Sequence, residues 1–561
     1  MLTEWLASLR LTCTASISCS FVVGMAVSRI RWILERRVLL GVCGRRAGAL
    51  PLYPTRASAA LDPVRANRPL TLFPSLLLYV EVIFIKQQRF RFKLLALLLF
   101  GLFALLAVYG VYSINTYGNR WFAYARNPRV REQKSTVTAG SIYDRNGVLL
   151  ASTEDGKRVY QPDEASRRAV VHVIGDSAGQ VSNGVEGFQT AYLYGFKASL
   201  MERFNDLFSD TPRHGDDVHL TLDSELCTAI TYHFSANSLT KGKNGAAVVM
   251  NYKTGEVVAE VSLPSFDPMN MGSVSAGSEV YWNRVTQSLY PPGSTFKVIT
   301  TTAALENIPG VTDMKITCNG GLDVDGQAIR DYGSAIHTSL TLKQAFMKSC
   351  NNIYALLALD MGDAALRKTA EAFGFNANFL FRDLVVENSV YPTTGRTNFE
   401  LAMSGFGQSS IGATPMHLCL IAAAIANDGV MMEPTLLLRT TTPSGSVRDE
   451  FSGKTSRTAL KPETAAVLQE YMRAVVNGGT GSRAAVSGLK VCGKTGSAES
   501  SRRGQAVTHG LFIGYIADEE LPYAVCVVVE DIPDGEGGGS TAAPIAGDIF
   551  KYIKEHADTF N

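Results

Sequence analysis

Three short groups of residues carry the means for nucleophilic acyl transfer. Ser294-Thr295-Phe296-Lys297 sets a hydroxyl and an amine three positions apart, on one face of a helix. A serine hydroxyl is a weak nucleophile at its free pKa and needs an adjacent base. Lys297 serves as that base if desolvation or a neighbouring cation lowers its pKa. Ser349-Cys350-Asn351 adds a hydroxyl able to relay a proton to a leaving amine, and an amide that both donates and accepts, which suits a peptide. Lys494-Thr495-Gly496-Ser497 adds a positive charge and two hydroxyls for a terminal carboxylate. Gly496 leaves room for a substrate backbone along a strand. The backbone N–H groups of Ser294 and Ser497 are candidates for an oxyanion hole. Each group also has a plain structural reading: an N-cap serine beside a solvated lysine, a helix cap, and a Lys-Thr-Gly triplet that recurs at 253–255.

The elements that must position these residues are legible around them. Pro291-Pro292-Gly293 forces a break, after which Val298, Ile299, Ala303, Ala304 and Leu305 give a helical apolar face. Ser294 therefore opens a helix, whose N-terminus brings positive potential to developing negative charge. Leu342–Met347 reads as a helix that Ser349-Cys350-Asn351 ends, and Ile353–Leu359 as the next one. Such a junction turns Ser349 and Asn351 into a cleft. Residues 491–498, 510–516 and 523–530 read as neighbouring strands of an antiparallel sheet.

The chain has 561 residues, enough for two or more folded domains. A net charge of +2 gives no reason to expect a nucleic-acid partner. Nine cysteines occur without C-x-x-C spacing, so no zinc site, no other metal and no cofactor is expected, and the thiols read as buried and free. Leu94–Tyr112 is an uncharged run long enough to span a bilayer. We place a transmembrane helix at 94–113, with Tyr109 and Tyr112 at the far interface. Lys86, Arg89, Arg91 and Lys93 put its N-terminal side in the cytoplasm, against a weaker opposing signal from Arg120, Arg126, Arg129 and Arg131. A cleaved signal peptide would have a shorter apolar core and a small-residue cleavage site.

Residues 1–85 hold ten arginines and no lysine, a shift in composition that marks a boundary. We expect no compact domain there: the segment reads as an upstream extension from a misassigned start or as a disordered tail. The weak apolar stretch 70–85 is interrupted by Pro74 and Glu81. Residues 114–213 read as a small mixed pedestal, too short for a glycosyltransferase domain as well. Within it Asp144-Arg145-Asn146-Gly147 forms a turn between strands, Gly147 taking the positive φ. The catalytic domain is placed at 214–557.

The three motifs in this order are the signature of penicillin-binding proteins and class A β-lactamases. The flanks also match: Asn127-Pro128-Arg129, Gly140–Gly147, Thr221-Leu222-Asp223, Gly245–Gly255, Ile411–Met416 and Ala426–Gly429. Over about residues 114–557 the chain resembles a class B penicillin-binding protein, and its short pedestal is most similar to the penicillin-binding protein A group, with relatives in cell division and sporulation. That resemblance implies an α+β transpeptidase domain with a central antiparallel sheet flanked by helices. It implies a D,D-transpeptidase that cross-links peptidoglycan stem peptides through a Ser294 acyl-enzyme and is acylated by β-lactams. Ser294, Lys297, Ser349 and Lys494 would be catalytic, and Asn351, Thr495, Gly496 and Ser497 would bind substrate. The implied setting is a bacterial membrane, with one pass through the lipid, the catalytic domain outside, and a separate glycosyltransferase and cell-wall synthesis complex as partners. A β-lactamase would need a deacylating base that the sequence does not display, and a β-lactam sensor an H-E-x-x-H motif that it lacks. A D,D-carboxypeptidase would use the same residues with water as acceptor, and a catalytically silent scaffold would not need Ser294, Lys297, Asn351 and Lys494 intact.

Overall fold

A computed structural model describes residues 72–122 and 136–560, with 132 and 134, apart from 182, 207, 209–212, 276 and 503. Helix α1, Leu72–Phe122, begins well upstream of the span expected at 94. Its stretch Ile83–Ser113 is long and apolar enough to cross a membrane, and none of it is buried. Pro74 sits in the first turn, where a missing N–H costs nothing, and glutamate is a good helix former, so neither Pro74 nor Glu81 interrupts it. The rest of the extension expected at 1–85 lies outside the described residues.

In the pedestal, Ile142–Tyr143 pairs antiparallel with Leu149–Glu154, and the turn between them has Gly147 at φ +81°. Asp144 fixes that turn: one carboxylate oxygen accepts the N–H groups of Asn146 and Val148, the other the hydroxyl of Ser224. The sheet runs Lys157–Tyr160, Leu149–Glu154, Ile142–Tyr143, Asp217–Leu220, Leu437–Thr441, Val447–Glu450. Three of its six strands thus come from beyond residue 214, where the sequence places the catalytic domain. Strands so distant in sequence leave no local signal of their partnership. One contiguous buried core runs from Ile142 in the pedestal to Phe560.

The catalytic region opens with helix α2, Ser224–Ala236, capped by Asp223, whose carboxylate accepts the Leu226 N–H. Strands β1, Gly245–Asn251, and β2, Val257–Leu263, follow. Helices α3, Lys297–Asn307, α4, Leu342–Lys348, α5, Asn351–Phe373, α6, Pro415–Ala426, and α7, Pro462–Gly478, come next. Strands β3, Val491–Arg502, β4, Gln505–Ile516, and β5, Tyr523–Val529, precede helix α8, Ala542–Glu555. The five strands form an antiparallel sheet in the order β3-β4-β5-β1-β2. Every residue of β5 is buried, so both faces of the sheet are covered, which accounts for its unbroken Val525–Val529 run. Helix α6 packs on β1, β4 and β5, while α2 and α8 pack on each other and on the sheet. Strand β3 stands at the edge, with one side of its backbone unpaired by any strand among the described residues.

Candidate active site

The proline-glycine break before Ser294 folds into a tight 3-10 turn, Gly293–Phe296, that runs straight into α3. Such turns are common at helix N-termini. Gly293 has φ +51°, and a Cβ there would lie 2.7 Å from the Ser497 carbonyl oxygen. Its N–H donates to Gly407 O at 2.9 Å. The Ser294 turn is thereby wedged between β3 and the loop after Ser404. Gly496 serves this contact: a Cβ there would meet Thr295 Cγ2 at 3.0 Å and Pro292 O at 3.1 Å. Its missing side chain makes room for the turn that carries Ser294, where the sequence suggested room for a substrate.

Lys297 is fully buried. Its ammonium donates to Ser349 O at 2.5 Å, Asn351 Oδ1 at 2.8 Å and Ser349 Oγ at 3.2 Å. The Tyr354 and Phe406 rings lie 5.2 and 5.9 Å away. Burial lowers its pKa to about 7, because removing water disfavours the charged form. The Ser294 hydroxyl makes no hydrogen bond among the described residues, so Lys297 engages the second motif rather than the serine one turn before it.

Ser349 ends α4 in the left-handed conformation, φ 57°, a strained position for a residue with a side chain. Cys350 caps α5, and Asn351 is its first residue. The turn between the helices is held by Asp331, which the sequence gave no reason to single out. One carboxylate oxygen accepts the Asn351 N–H in a short bond and the Asn352 N–H at 3.2 Å. Asn351 Nδ2 donates to Arg330 O at 3.2 Å. Asp331 directly follows a two-stranded hairpin, Gly321–Val324 with Gln327–Arg330, and precedes both helices it joins.

Strand β3 brings the third motif to the same place. Lys494, also fully buried, donates to Ser349 Oγ at 3.0 Å and to Thr495 O at 3.0 Å. Burial, and then the Lys297 charge, push it well below the usual lysine value. The hydroxyls of Thr495 and Thr480 lie 2.6 Å apart, and Ser497 Oγ accepts the Gly538 N–H at 3.3 Å. Thr480, at the end of α7, had no motif to reveal it. Lys297, Ser349, Asn351 and Lys494 thus form one connected polar group, and Thr495, Gly496 and Ser497 adjoin the Ser294 turn through β3.

The six described cysteines, 227, 318, 350, 419, 492 and 526, are all buried and unbridged, as the sequence suggested. Two of them are not isolated. Cys318 and Cys350 converge with Asp331 and His337, their ligand atoms all within 4.8 Å of one another. Residue spacing hid this group, because it is assembled from a strand end, a loop and a helix cap.

Comparison with known proteins agrees with the geometry. Residues 245–551 match the penicillin-binding protein transpeptidase domain. The chain is 30% identical over 450 residues to the peptidoglycan D,D-transpeptidase PbpA of Mycolicibacterium smegmatis, covering 75% of this chain and 90% of that protein. It is 30% identical to the stage V sporulation protein D of Bacillus subtilis, covering 71% of this chain and 65% of that protein. Among solved structures it resembles penicillin-binding protein A of M. tuberculosis as a ceftriaxone acyl-enzyme, with TM-score 0.68 and 28% identity over 74% of this chain and 98% of that one. It also resembles a D,D-transpeptidase domain from Eggerthella lenta, with TM-score 0.64 and 29% identity over 75% and 99%. The chain belongs to the penicillin-binding protein transpeptidase family.

Proposed function

We propose that this protein is a membrane-anchored peptidoglycan D,D-transpeptidase with Ser294 as its nucleophile. The observation that carries the assignment is the Ser349 hydroxyl held between two buried amines, Lys297 at 3.2 Å and Lys494 at 3.0 Å. A proton relay needs a depressed-pKa base within reach of a hydroxyl that can pass the proton on. As Ser294 Oγ bonds to the carbonyl carbon of the penultimate D-alanine, its proton passes to the neutral amine of Lys297. The N–H groups of Ser294 and Ser497 hold the oxyanion. Ser497 O lies beside Gly293, and a strand residue points its N–H and C=O the same way, so the Ser497 N–H faces the serine turn. Lys297 then returns the proton through Ser349 to the departing nitrogen, the C–N bond breaks, and D-alanine leaves. The amine of a second stem peptide attacks the ester, giving its proton back to Ser294 by the same route. β-Lactams acylate Ser294 likewise, their amide nitrogen remaining tethered.

The open edge of β3 suits an extended stem peptide, with Asn351 at its amide and Thr495, Ser497 and Lys494 at its terminal carboxylate. Helix α1 is the anchor. Lys86, Arg89, Arg91 and Lys93 favour a cytoplasmic N-terminal side, with pedestal and catalytic domain outside, working on strands supplied by a separate glycosyltransferase. Gel labelling with a fluorescent penicillin tests the assignment. Native protein labels and Ser294→Ala does not; an unlabelled native protein would sink the proposal. A D-alanyl-D-alanine peptide offered with an acceptor amine separates cross-linking from the carboxypeptidase alternative.

A further inference from the structure

The groove assigned to the donor peptide lies between two walls. Asn351 belongs to one, and Asp331 holds it there through the Asn351 N–H. Ser497 belongs to the other, on edge strand β3, and the loop from β5 to α8 packs against it. The Gly538 N–H donates to Ser497 Oγ at 3.3 Å, and a Cβ on Gly537 would lie 2.7 Å from the same oxygen. Tyr332, next to Asp331 in the chain, joins the two walls. Its hydroxyl donates to Gly535 O at 2.6 Å, within the range of a strong O–H···O bond. Among the described residues this is the hydroxyl's one hydrogen bond. Tyr332 is 69% exposed, whereas Lys297 and Lys494 are fully buried, so the bond crosses the groove at its solvent rim. Gly535 is free to move: it has φ +81° and open space around it. The backbone anchors of its loop lie on either side, where the Ile532 N–H donates to Thr508 O at 2.9 Å and Gly537 O accepts the Thr541 hydroxyl at 2.8 Å.

We propose that Tyr332 is a specificity-determining residue of the donor groove: its bond to Gly535 clasps the rim, and a donor that extends past the penultimate D-alanine must break it. This rests on the transpeptidase reading, which sets that residue's amide between Asn351 and β3. The stem residues before the amide leave the groove through the rim. An extended chain needs about 4.7–4.9 Å between itself and a neighbouring strand, and a hydroxyl 2.6 Å from a carbonyl oxygen leaves no such passage. A donor that ends at the amide stays beneath the rim and leaves the clasp closed. The glycine at position 535 lets its loop swing between the anchors at Ile532 and Gly537 without steric penalty. The long donor reacts only with the open fraction, so its apparent affinity is reduced by that fraction. The clasp thus selects by donor length at a point where none of the reacting atoms is touched.

The test compares two thioesters with one leaving thiol on the full-length protein in detergent. One is the thioester of N-acetyl-D-alanine, and the other carries the whole stem tetrapeptide. Each passes its acyl group to Ser294 Oγ, the C–S bond breaks, and the serine proton leaves on the thiol, which is counted. Tyr332→Phe keeps the ring and removes the hydroxyl. The ratio of kcat/KM for the long donor to that for the short one should rise about three- to tenfold, the worth of one neutral hydrogen bond, and by as much in Tyr332→Ala. An unchanged ratio in Tyr332→Phe overturns the proposal. So does a rise confined to Tyr332→Ala, which would assign the effect to the bulk of the ring. An equal fall for both donors would make Tyr332 a support for Asp331 and overturn it too. Hydrogen exchange judges the clasp without activity: residues 533–540 should exchange faster in Tyr332→Phe than in native protein, and equal exchange overturns the clasp. Native protein that reacts with neither thioester would refute the transpeptidase reading, and the exchange result would still decide whether the clasp exists.

Discussion

Lys494 donates to the Ser349 hydroxyl across 3.0 Å, joining edge strand β3 to the turn between α4 and α5. Residues far apart in sequence meet at this bond, and Lys297 reaches the same oxygen from α3. Two lysines this close would repel as cations. Burial lowers both pKa values, and the Lys297 charge lowers that of Lys494 further, so one amine is free to act as a base near neutral pH.

Removing the shared hydroxyl isolates its part in the chemistry. In Ser349→Ala both amines lose an acceptor, but Lys297 keeps Ser349 O and Asn351 Oδ1, and Lys494 keeps Thr495 O. The fold should survive. Acylation by a fluorescent penicillin should fall by about 10²–10⁴-fold, the range for loss of a positioned proton carrier. A fall of less than threefold would remove Ser349 from the relay.

The pKa of Lys297 sets a pH profile. Only the neutral amine accepts the Ser294 proton. Since burial lowers the pKa to about 7, the second-order acylation rate should rise about tenfold per pH unit below 7 and level off above it. Moving the inflection is the sharper check. Asn351→Asp places a carboxylate 2.8 Å from the ammonium, which favours the charged form and shifts the inflection upward. An unshifted inflection would assign the titration to another group.

How much of this was legible beforehand follows from what each contact depends on. Ser294 and Ser349 sit at element boundaries that proline, glycine and apolar periodicity mark locally, and Lys494 sits in a strand flanked by turn residues, so their setting could be read. The strands β3, β4 and β5 follow from short apolar runs bounded by turn residues, although β3 and β4 run on past the expected 491–498 and 510–516 into a longer hairpin. Asp331 and Thr480 act through tertiary partners, and no short-range pattern announces them. Gly496 was legible as a position of close approach, but what approaches it, the Thr295 turn, depends on packing between distant segments. The convergence of His337 with Cys318 and Cys350 was invisible because spacing rules describe residues on one local motif, and these come from separate elements.

The glycines around the nucleophile carry a cost that can be measured. Gly407 has φ +78°, and a Cβ there would lie 2.1 Å from Gly293 O and 2.6 Å from Phe296 Cβ. Backbone on one side and a buried ring on the other cannot yield cheaply. Gly407→Ala should destabilise the protein by about 1–3 kcal/mol from the backbone term alone and displace the Ser294 turn, so labelling should drop more steeply than thermal stability. Gly445 also has a positive φ, +84°, with open space around it. Gly445→Ala should cost strain without loss of labelling, and equal effects of the two substitutions would contradict the wedge.

A buried ion pair anchors the far end of β5. Arg284 Nε lies 2.9 Å from Glu530 Oε1, which also accepts the Tyr290 hydroxyl at 2.8 Å. Desolvation alone would raise the Glu530 pKa, but the Arg284 charge and the hydrogen bonds from Tyr290, Arg284 and Asn244 hold it below the ordinary value. A carboxylate with a depressed folded pKa contributes stability that is complete above its unfolded pKa, near 4.3, and is lost as pH falls through the folded one. Arg284→Met leaves the carboxylate buried without its cation and should cost about 3–5 kcal/mol at pH 7, read by urea denaturation. The loss should shrink as pH falls from 7 toward 4, because the desolvated carboxylate without its cation is protonated above its ordinary pKa. Adding Glu530→Gln to Arg284→Met should restore part of the stability at pH 7 for the same reason. A double variant no more stable than Arg284→Met would mean that packing of the arginine stem, rather than the charge, holds this end of the sheet.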